Sequence, residues 1–295
     1  MQPDIFIVGV PKAGTTWLAS TLSQHPTIQL SNPKEPNIIT SHKGTFERVI
    51  EEINWSKYEN LFEGPGIRID ASVHTFACPE SPKIISEKIP NAKFILCIRE
   101  PISRTVSHWN MVRDTKSDIE NNTDWSNFSI AWKDDRLRED SMYGKSMKLW
   151  LKYFSLDNFL IIDTKYMKLQ SNKVLSDVES FLGLMPHVYD TDLSKHANRA
   201  TDRRKLTYIG IIFKKIISKT PKIVKAPIVK KLQSRDINIY SSPLISKKIN
   251  LQQISKEHYS LCSHSILPDL ELFEKLTGFS TEHWKKEIKQ QILHE

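Results

Sequence analysis

Cysteine is scarce in this chain, and its number and spacing argue against both disulfide bonds and a zinc site. Three cysteines occur among 295 residues, namely Cys78, Cys97 and Cys262. Their number is odd and no pair has the spacing of metal ligands, so neither a disulfide framework nor a zinc site is expected. We therefore predict buried free thiols in a reducing compartment.

Long apolar runs and a leader sequence are also lacking. No stretch reaches the roughly 20 apolar residues that span a bilayer. No basic region followed by an apolar segment and a cleavage site opens the chain. These absences predict a cytoplasmic protein. The composition, 39% hydrophobic and 26% charged, is that of an ordinary globular protein, and the length fits one large α/β domain over 1–295.

Acidic residues are missing from Arg203 to Arg235, and this stretch accounts for the formal net charge of +8. We expect a basic helical segment over 205–245 that attracts anionic partners. Residues 209–231 could contact an anionic membrane surface or an acidic glycan, or could pack on the core with a solvated lysine face. Nucleic acid is not expected as a partner, because aromatic residues are not interleaved with the basic ones.

Apolar runs alternate with helical patterns along much of the chain. The strand-like runs are Ile5–Val10, Ile28–Leu30, Gly66–Ala71, Lys93–Ile98 and Asn158–Asp163. The helical patterns are Trp17–His25, Pro82–Ile89, Pro101–Arg113, Gly144–Phe154 and Lys173–Leu182. This order predicts a P-loop-like α/β fold of three layers, with a central parallel sheet flanked by helices. The polar stretch 115–140 is predicted to be an inserted loop, and Ser246–Trp284 to be helical.

The first strand leads into a turn of the kind that cradles phosphate. Gly9 and Gly14 have the spacing of the nucleotide-triphosphate loop G-x-x-x-x-G-K-[ST], but Thr15 stands where that loop has lysine. The lysine of this loop is Lys12, inside the turn. Backbone N–H groups of the turn and of the following helix N-terminus favour an anion. We therefore predict a phosphate site whose cation approaches from a different side.

A second anion site is predicted at the end of the strand Lys93–Ile98. Arg99 follows this strand, Pro101 suits the first turn of a helix, and Ser107 lies two turns into that helix. A guanidinium and a hydroxyl that reach one region form a clamp for phosphate. The alternative is that Arg99 pairs with a carboxylate at the strand end.

Together, the two motifs resemble those of sulfotransferases that use 3′-phosphoadenosine 5′-phosphosulfate (PAPS). P-K-A-G-T-T-W, Pro11–Trp17, resembles their 5′-phosphosulfate loop, and F-I-L-C-I-R-E-P-I-S-R-T-V-S, Phe94–Ser107, resembles their 3′-phosphate strand and helix. Further segments are similar, in the same order, to heparan-sulfate-type and bacterial carbohydrate sulfotransferases. They are Asn32–Asn37, Met142–Gly144, Trp150–Phe154, Phe159–Asp163, Phe181–Leu184, Leu276–Gly278 and Trp284. The resemblance covers nearly the whole chain.

The resemblance implies PAPS as the sulfuryl donor, 3′-phosphoadenosine 5′-phosphate (PAP) as the product, and no metal. It implies that Lys12 contacts the bridging or sulfate oxygens and stabilises the leaving phosphate, and that Arg99 and Ser107 bind the 3′-phosphate. For Trp17, a place in the helix core is an equal alternative to stacking on adenine. The other residues implied in donor binding are Ala13, Gly14, Thr15, Thr16 and either Arg203 or Arg204.

Glu35 is the expected general base, because it matches the glutamate of carbohydrate sulfotransferases, and Lys34 beside it would contact the sulfate or modulate the base. His74 is the rival catalytic residue, since cytosolic small-molecule sulfotransferases use a histidine, while His108 is expected to pack or cap. Heparan-type enzymes often carry a lysine where this chain has Ala71. The expected acceptor is a carbohydrate or glycan, either without the anionic group that such a lysine meets or served by another cation.

Two other classes of function stay open. In a P-loop nucleotide kinase or hydrolase, Lys12 would meet a triphosphate, and ATP with magnesium would bind better than PAP. A non-catalytic glycan-binding module on the same fold would bind nucleotide weakly and show no turnover. The joint presence of the loop lysine, the glutamate and the 3′-phosphate pair argues against such a module.

Overall fold

Two compact units make up the chain, one of Met1–Ala197 with Gln253–Glu295 and one of Asn198–Gln252. A computed structural model describes residues 3–192, 204–206, 246–248 and 252–293. The expectation of a single domain over 1–295 stays a prediction.

The larger unit alternates strands and helices, as the sequence predicts. Its strands are β1 (Ile5–Gly9), β2 (Ile28–Leu30), β3 (His42–Lys43), β4 (Glu47–Arg48), β5 (Ile67–Asp70), β6 (Lys93–Ile98) and β7 (Phe159–Asp163). Its helices are α1 (Thr15–Leu22), α2 (Trp55–Glu59), α3 (Ser81–Lys88), α4 (Pro101–Thr115), α5 (Ser117–Glu120), α6 (Phe128–Lys133), α7 (Asp135–Arg138), α8 (Tyr143–Trp150), α9 (Thr164–Leu169), α10 (Ser171–Leu182), α11 (Lys256–Thr277) and α12 (Glu282–Leu293). Short 3-10 helices precede α8 and β7, at Glu139–Ser141 and Leu156–Asn158.

Five of these strands form one parallel sheet in the order β2-β5-β1-β6-β7. The remaining pair, β3 and β4, forms a separate antiparallel hairpin. The predicted α/β fold with a central parallel sheet is thereby confirmed. Because the five strands run in the same direction, the loops that follow them all meet at one edge of the sheet.

The core lies on the two faces of this sheet, where helices cover it. All residues of β1 and most of β6 are buried, as in parallel sheets that are packed on both sides. An aromatic cluster packs α8 on β6 and β7: the ring of Phe94 lies 4.8 Å from Trp150, 4.7 Å from Phe154 and 4.8 Å from Phe159. Trp150 Nε1 donates to the Phe76 carbonyl at 2.9 Å, so the polar end of this buried ring is also satisfied.

The stretch 115–140, expected as an inserted loop, contains short helices. The helices α5, α6 and α7 lie within it and have 4, 6 and 4 residues. Trp125, Phe128, Trp132 and Leu137 are buried in the core. Elements of about one turn are too short for a helical period to show in the sequence.

The C-terminal part follows the helical expectation only in α11 and α12. Residues Ser246–Lys248 form a strand, β9, which pairs antiparallel with β8 (Arg204–Leu206) in the smaller unit. Apart from the residues of β8, the predicted basic helical segment 205–245 lies outside the described residues, and so does the expected membrane contact at 209–231. Among the helices that the structure describes, none has both the length and the apolar character needed to cross a bilayer.

Candidate functional site

The phosphate-type loop between β1 and α1 has a backbone conformation suited to an anion. Lys12 has φ 70, a left-handed value that is uncommon outside glycine, and Gly14, the N-cap of α1, has φ 86. Left-handed residues within a turn direct neighbouring N–H groups into one concavity. The loop leads directly into α1, whose first N–H groups have no partner within the helix. These backbone angles are compatible with the predicted phosphate cradle, and anion binding at the loop stays a prediction.

Both glycines of this loop lie against close neighbours, and a Cβ atom would clash with backbone only at Gly9. A Cβ atom on Gly9 would lie 2.6 Å from the carbonyl oxygen of Val73, which follows β5. A Cβ atom on Gly14 would lie 3.1 Å from Met167 Sδ on α9. The close approach of these neighbours positions the loop backbone before any ligand binds.

Trp17, implied in stacking on adenine, is a core residue of α1. Only 6% of its surface is exposed, and it belongs to the main apolar cluster. Its Nε1 is buried without a hydrogen-bond partner in the described part of the chain. The ring has almost no surface to offer to a nucleotide, whereas Thr16 beside it is exposed. Of the other loop residues, Lys12 and Gly14 are half-buried, and Ala13 and Thr15 are buried.

The strand order brings together side chains that are far apart in sequence. Glu35 follows β2, His74 follows β5, Lys12 follows β1 and Arg99 follows β6. These four strands are neighbours in that order. The four residues therefore lie along the carboxyl edge of the sheet, where α/β folds bind their ligands. The two candidate bases are on one side of the loop lysine, and the arginine is on the other.

Arg99 lies at this edge as a cation with no carboxylate partner among the residues that the structure describes. Its half-buried guanidinium makes no hydrogen bond and no ion pair with the residues that the structure describes. Its carbonyl oxygen accepts a hydrogen bond from Tyr143 Oη at 2.7 Å, which holds the end of β6. Ser107 is half-buried on α4, two turns beyond. A carboxylate partner for Arg99, the alternative left open by the sequence, is not found in the described ranges.

Glu35 lies in the connection after β2, beside a cation and near a buried carboxyl group. Its Oε1 is 2.5 Å from Lys34 Nζ, and 37% of the Glu35 side chain is exposed. Burial raises the pKa of Asp70, and the charge of Glu35 adds to that rise. Asp70 is fully hydrogen-bonded, to Tyr58 Oη at 2.5 Å and to the Ser72 N–H at 2.7 Å. Glu35 is thus the carboxylate of this pair that faces solvent.

His74 belongs to a buried polar network that the sequence does not predict. Its Nδ1 is 3.2 Å from Asp140 Oδ1. The other oxygen of Asp140 is 3.6 Å from His108 Nδ1 and 4.0 Å from Arg104 Nη1. All four side chains are buried. Arg104 also donates to the Pro11 carbonyl at 3.4 Å, so the network reaches the phosphate-type loop.

The charges of this network determine which histidine can act as a base. Burial and the charge of Arg104 lower the pKa of His108 well below its usual range. Its Nδ1 accepts a hydrogen bond from Arg104 Nη1 at 3.2 Å, and its Nε2–H donates to Thr45 Oγ1 at 2.9 Å. Both ring nitrogens of His108 are therefore occupied by hydrogen bonds within the fold. His74 makes one hydrogen bond, to Asp140, within the described part of the chain.

Asp140→Asn should destabilise the protein strongly. The substitution removes the carboxylate charge beside the buried guanidinium of Arg104, and breaking a buried ion pair in this way costs about 3–5 kcal/mol. Urea unfolding near neutral pH, followed by tryptophan fluorescence, measures the loss. The control is Asp135→Asn, because 78% of the Asp135 side chain is exposed. For that variant we expect a loss of less than about 1 kcal/mol.

The same pair of proteins should show a defined pH dependence. Burial raises the pKa of Asp140, but His74 and Arg104 outweigh burial and hold that pKa well below its usual range. A carboxyl group with a lowered folded pKa stabilises the protein above its unfolded value of about 3.9, and loses that contribution as the pH falls further. The stability difference between wild type and Asp140→Asn should shrink as the pH falls below about pH 4. Equal unfolding free energies at neutral pH would contradict the pairing.

Sequence reasoning missed two residues at this site, Asp140 and Thr164. Asp140 lay in a stretch expected to be a loop, and no local pattern pairs it with His74 or Arg104. Thr164 did carry a signal, since it directly follows the strand next to β6. Its Oγ1 lies 2.8 Å from both the Ala13 and the Ile98 carbonyl oxygens.

The side chains of two residues predicted to bind the nucleotide, Arg203 and Arg204, are not among those that the structure describes. Arg203 lies outside the described residues, and Arg204 is described only as part of the backbone of β8. Their contact with a nucleotide stays a prediction. In the described ranges, no group of three or more His, Cys, Asp or Glu side chains is arranged to hold a metal ion.

Known proteins with similar sequences carry sulfotransferase names. A family model described as sulfotransferase domain matches residues 2–226. The chain is 26% identical over 204 residues to bifunctional heparan sulfate N-deacetylase/N-sulfotransferase 1 of Caenorhabditis elegans, a match that covers 64% of this chain and 23% of that protein. It is 28% identical over 207 residues to heparan sulfate glucosamine 3-O-sulfotransferase 5 of Mus musculus, covering 67% of this chain and 58% of that protein. The chain thus matches less than two thirds of the length of these relatives.

A solved structure shares the fold over almost the whole chain. It is a sulfotransferase from Alicyclobacillus acidocaldarius, with a TM-score of 0.66 and 19% identity, and the match covers 97% of this chain and 99% of that one. At this identity the likeness shows the fold. Since the family model spans more than half of the sequence, the chain belongs to the sulfotransferase family.

Proposed function

We propose that this protein transfers a sulfuryl group from PAPS to a hydroxyl or amine of an acceptor, and that the acceptor is a carbohydrate or glycan. The observation that carries the proposal is the arrangement along one sheet edge. A lysine in a left-handed loop lies between an arginine without a described partner and two candidate bases. Family membership supports the reaction, and the heparan sulfate names of the relatives support the acceptor class.

The two ends of PAPS suit the two anion sites. The loop N–H groups, with Thr15 and Thr16, would hold the 5′-phosphosulfate, and Arg99 with Ser107 would hold the 3′-phosphate. The strands that lead to these sites, β1 and β6, are neighbours in the sheet, and neighbouring strands lie about 4.8 Å apart. One nucleotide can therefore reach both sites. The guanidinium of Arg99, which has no counter-charge in the described ranges, would gain one when a phosphate binds.

Lys12 and Glu35 carry the chemistry in this proposal. As the acceptor atom bonds to sulfur, the bond between sulfur and the 5′-phosphate oxygen breaks, and PAP leaves. The Lys12 ammonium stabilises the negative charge that develops on that oxygen. The Glu35 carboxylate accepts the proton of the acceptor group, so that the acceptor becomes a better nucleophile. Lys34, at 2.5 Å, orients the Glu35 carboxylate.

His74 is the second candidate for the general base, and its contact with Asp140 favours it. In the tautomer that donates Nδ1–H to Asp140, the lone pair of Nε2 is available as a proton acceptor. His74 also follows β5, which is the neighbour of β1 in the sheet, whereas Glu35 follows β2, which lies on the far side of β5. We assign the role to Glu35 because its carboxylate is exposed where an acceptor arrives, while His74 is buried.

Calorimetry with PAP and with ATP–Mg²⁺ tests the donor. We expect micromolar binding of PAP and weaker binding of ATP. Arg99→Ala should weaken PAP binding by about 10- to 100-fold, the value of a hydrogen bond to a charged group. The matched control Arg113→Ala, on the exposed face of α4, should bind PAP as the wild type does. Tighter binding of ATP would favour a kinase or hydrolase, and PAP binding without transfer of radiolabelled sulfate to any glycan would favour a binding module.

A further inference from the structure

Thr164 contacts the backbone beside both proposed anion sites through one buried hydroxyl. It is the first residue of α9, directly after β7, and only 6% of it is exposed. Its Oγ1 lies 2.8 Å from the Ala13 carbonyl in the loop, and 2.8 Å from the Ile98 carbonyl at the end of β6. A hydroxyl has a single proton, so the two carbonyl oxygens share one donor. Ala13 directly precedes Gly14, and Ile98 directly precedes Arg99.

The surroundings of Thr164 keep this hydroxyl in place. Asp163, the residue before it, pairs with Ile98 in the sheet and caps α9 with its side chain. Met167, one turn further in α9, packs closely against Gly14, so that a Cβ atom there would lie 3.1 Å from its Sδ. The start of α9 is therefore fixed relative to β6 on one side and to the loop on the other.

The hydroxyl complements a backbone contact at the other end of the loop. The Val10 N–H donates to the Cys97 carbonyl at 2.7 Å, which ties the beginning of the loop to β6. Thr164 ties the later part of the loop, next to Gly14, to the strand end next to Arg99. The distance between the two anion sites is thus set at both ends of the loop.

We propose that Thr164 is a positioning residue that sets the spacing of the two anion sites, and thereby the preference for a 3′,5′-bisphosphate over a nucleotide with one phosphate. This inference rests on the proposed function, because the two sites are those assigned to the ends of PAPS. A ligand held at both ends gains affinity when the two sites are already at the right distance. A nucleotide with one phosphate occupies only one site, so its affinity does not depend on the distance between the two.

Thr164→Val tests the inference, because it keeps the shape of the side chain and removes the hydroxyl. Calorimetry is performed with PAP, adenosine 5′-phosphate and adenosine 3′-phosphate. We expect PAP to bind about 10-fold more weakly, as for the loss of one buried hydrogen bond, and each monophosphate to change by less than about two-fold. Thr164→Ala should show the same loss of preference, and Thr164→Ser, which keeps the hydroxyl, should restore it.

The matched control is Thr21→Val on α1, the helix that follows the loop. Thr21 is fully buried, and its hydroxyl has no partner in the described part of the chain. This variant removes a buried hydroxyl that makes no hydrogen bond with the described residues, so the preference for PAP should stay unchanged. Thermal unfolding of every variant separates a loss of fold from a loss of preference.

The outcomes distinguish this inference from the function on which it rests. A wild type that binds PAP no better than the monophosphates and ATP would refute the proposed function, and the inference with it. A wild type that prefers PAP, together with a Thr164→Val variant that keeps the preference, would refute the inference alone. Equal weakening of PAP and of both monophosphates, or no rescue by Thr164→Ser, would also refute it, since either result assigns Thr164 to folding.

Discussion

Lys12→Met should lower the rate of sulfuryl transfer by about 10²- to 10³-fold while the affinity for PAP falls far less. Methionine keeps the unbranched stem of lysine and removes only the ammonium. That ammonium lies 3.7 Å from Met111 Sδ in the wild type, at the loop assigned to the 5′-phosphosulfate. Charge on the leaving oxygen develops in the transition state, so the loss should appear in kcat rather than in binding.

Initial rates with radiolabelled PAPS and calorimetry with PAP measure the two quantities for Lys12→Met. The control is Lys83→Met on α3, a solvent-exposed lysine that pairs with Glu87 four residues on; its rate should equal that of the wild type. Transfer at the wild-type rate by Lys12→Met would show that the stabilising cation is another group. Equal losses of rate and of PAP affinity would assign Lys12 to binding alone.

Glu35→Gln should lower the rate of transfer by about 10²- to 10⁴-fold, the range for removal of a general base. Glutamine keeps the size of the side chain but does not take up a proton. PAP affinity should stay unchanged, because β2 and β1 are separated by β5 in the sheet. The fold should also stay intact. The Glu35 charge contributes to the raised pKa of the buried Asp70, so its removal takes away a repulsion and not a stabilising contact. Glu87→Gln, on the exposed face of α3, is the matched control.

His74→Asn, measured beside Glu35→Gln, separates the two candidate bases. If the role of His74 is to stabilise the fold by its contact with Asp140, His74→Asn should be less stable than the wild type, and its folded fraction should keep the wild-type kcat. Normal transfer by Glu35→Gln with none by His74→Asn would overturn our assignment and make the histidine the base.

The sequence predicted those parts of the fold and of the site that depend on neighbouring residues. Three of the five strands of the sheet, β1, β6 and β7, are mainly apolar runs, as expected for parallel strands covered on both faces, whereas β2 and β5 also carry polar residues. The phosphate-type loop was recognisable because its glycines, its lysine and the following helix start lie within one short segment. The hairpin of β3 and β4 was missed, because strands of two residues have no visible period.

Contacts between distant residues were not predictable in the same way. His74 and Asp140 are 66 residues apart, and each alone reads as an ordinary polar residue. Trp17 fits the motif of a nucleotide site, yet it is buried in the core, because in a helix that packs on a sheet one face is covered whatever motif it carries.

By itself, the sequence determined the backbone chemistry of this protein's site: a loop with a displaced lysine, and a strand that ends in an arginine. Only the tertiary structure decided what surrounds them. The strand order β2-β5-β1-β6-β7 placed both candidate bases on one side of Lys12 and Arg99 on the other, and the end of β7 placed Thr164 between loop and strand. The physical reason is that local spacing fixes the conformation of a motif, whereas its neighbours follow from which strands pair and which buried polar groups must be satisfied together.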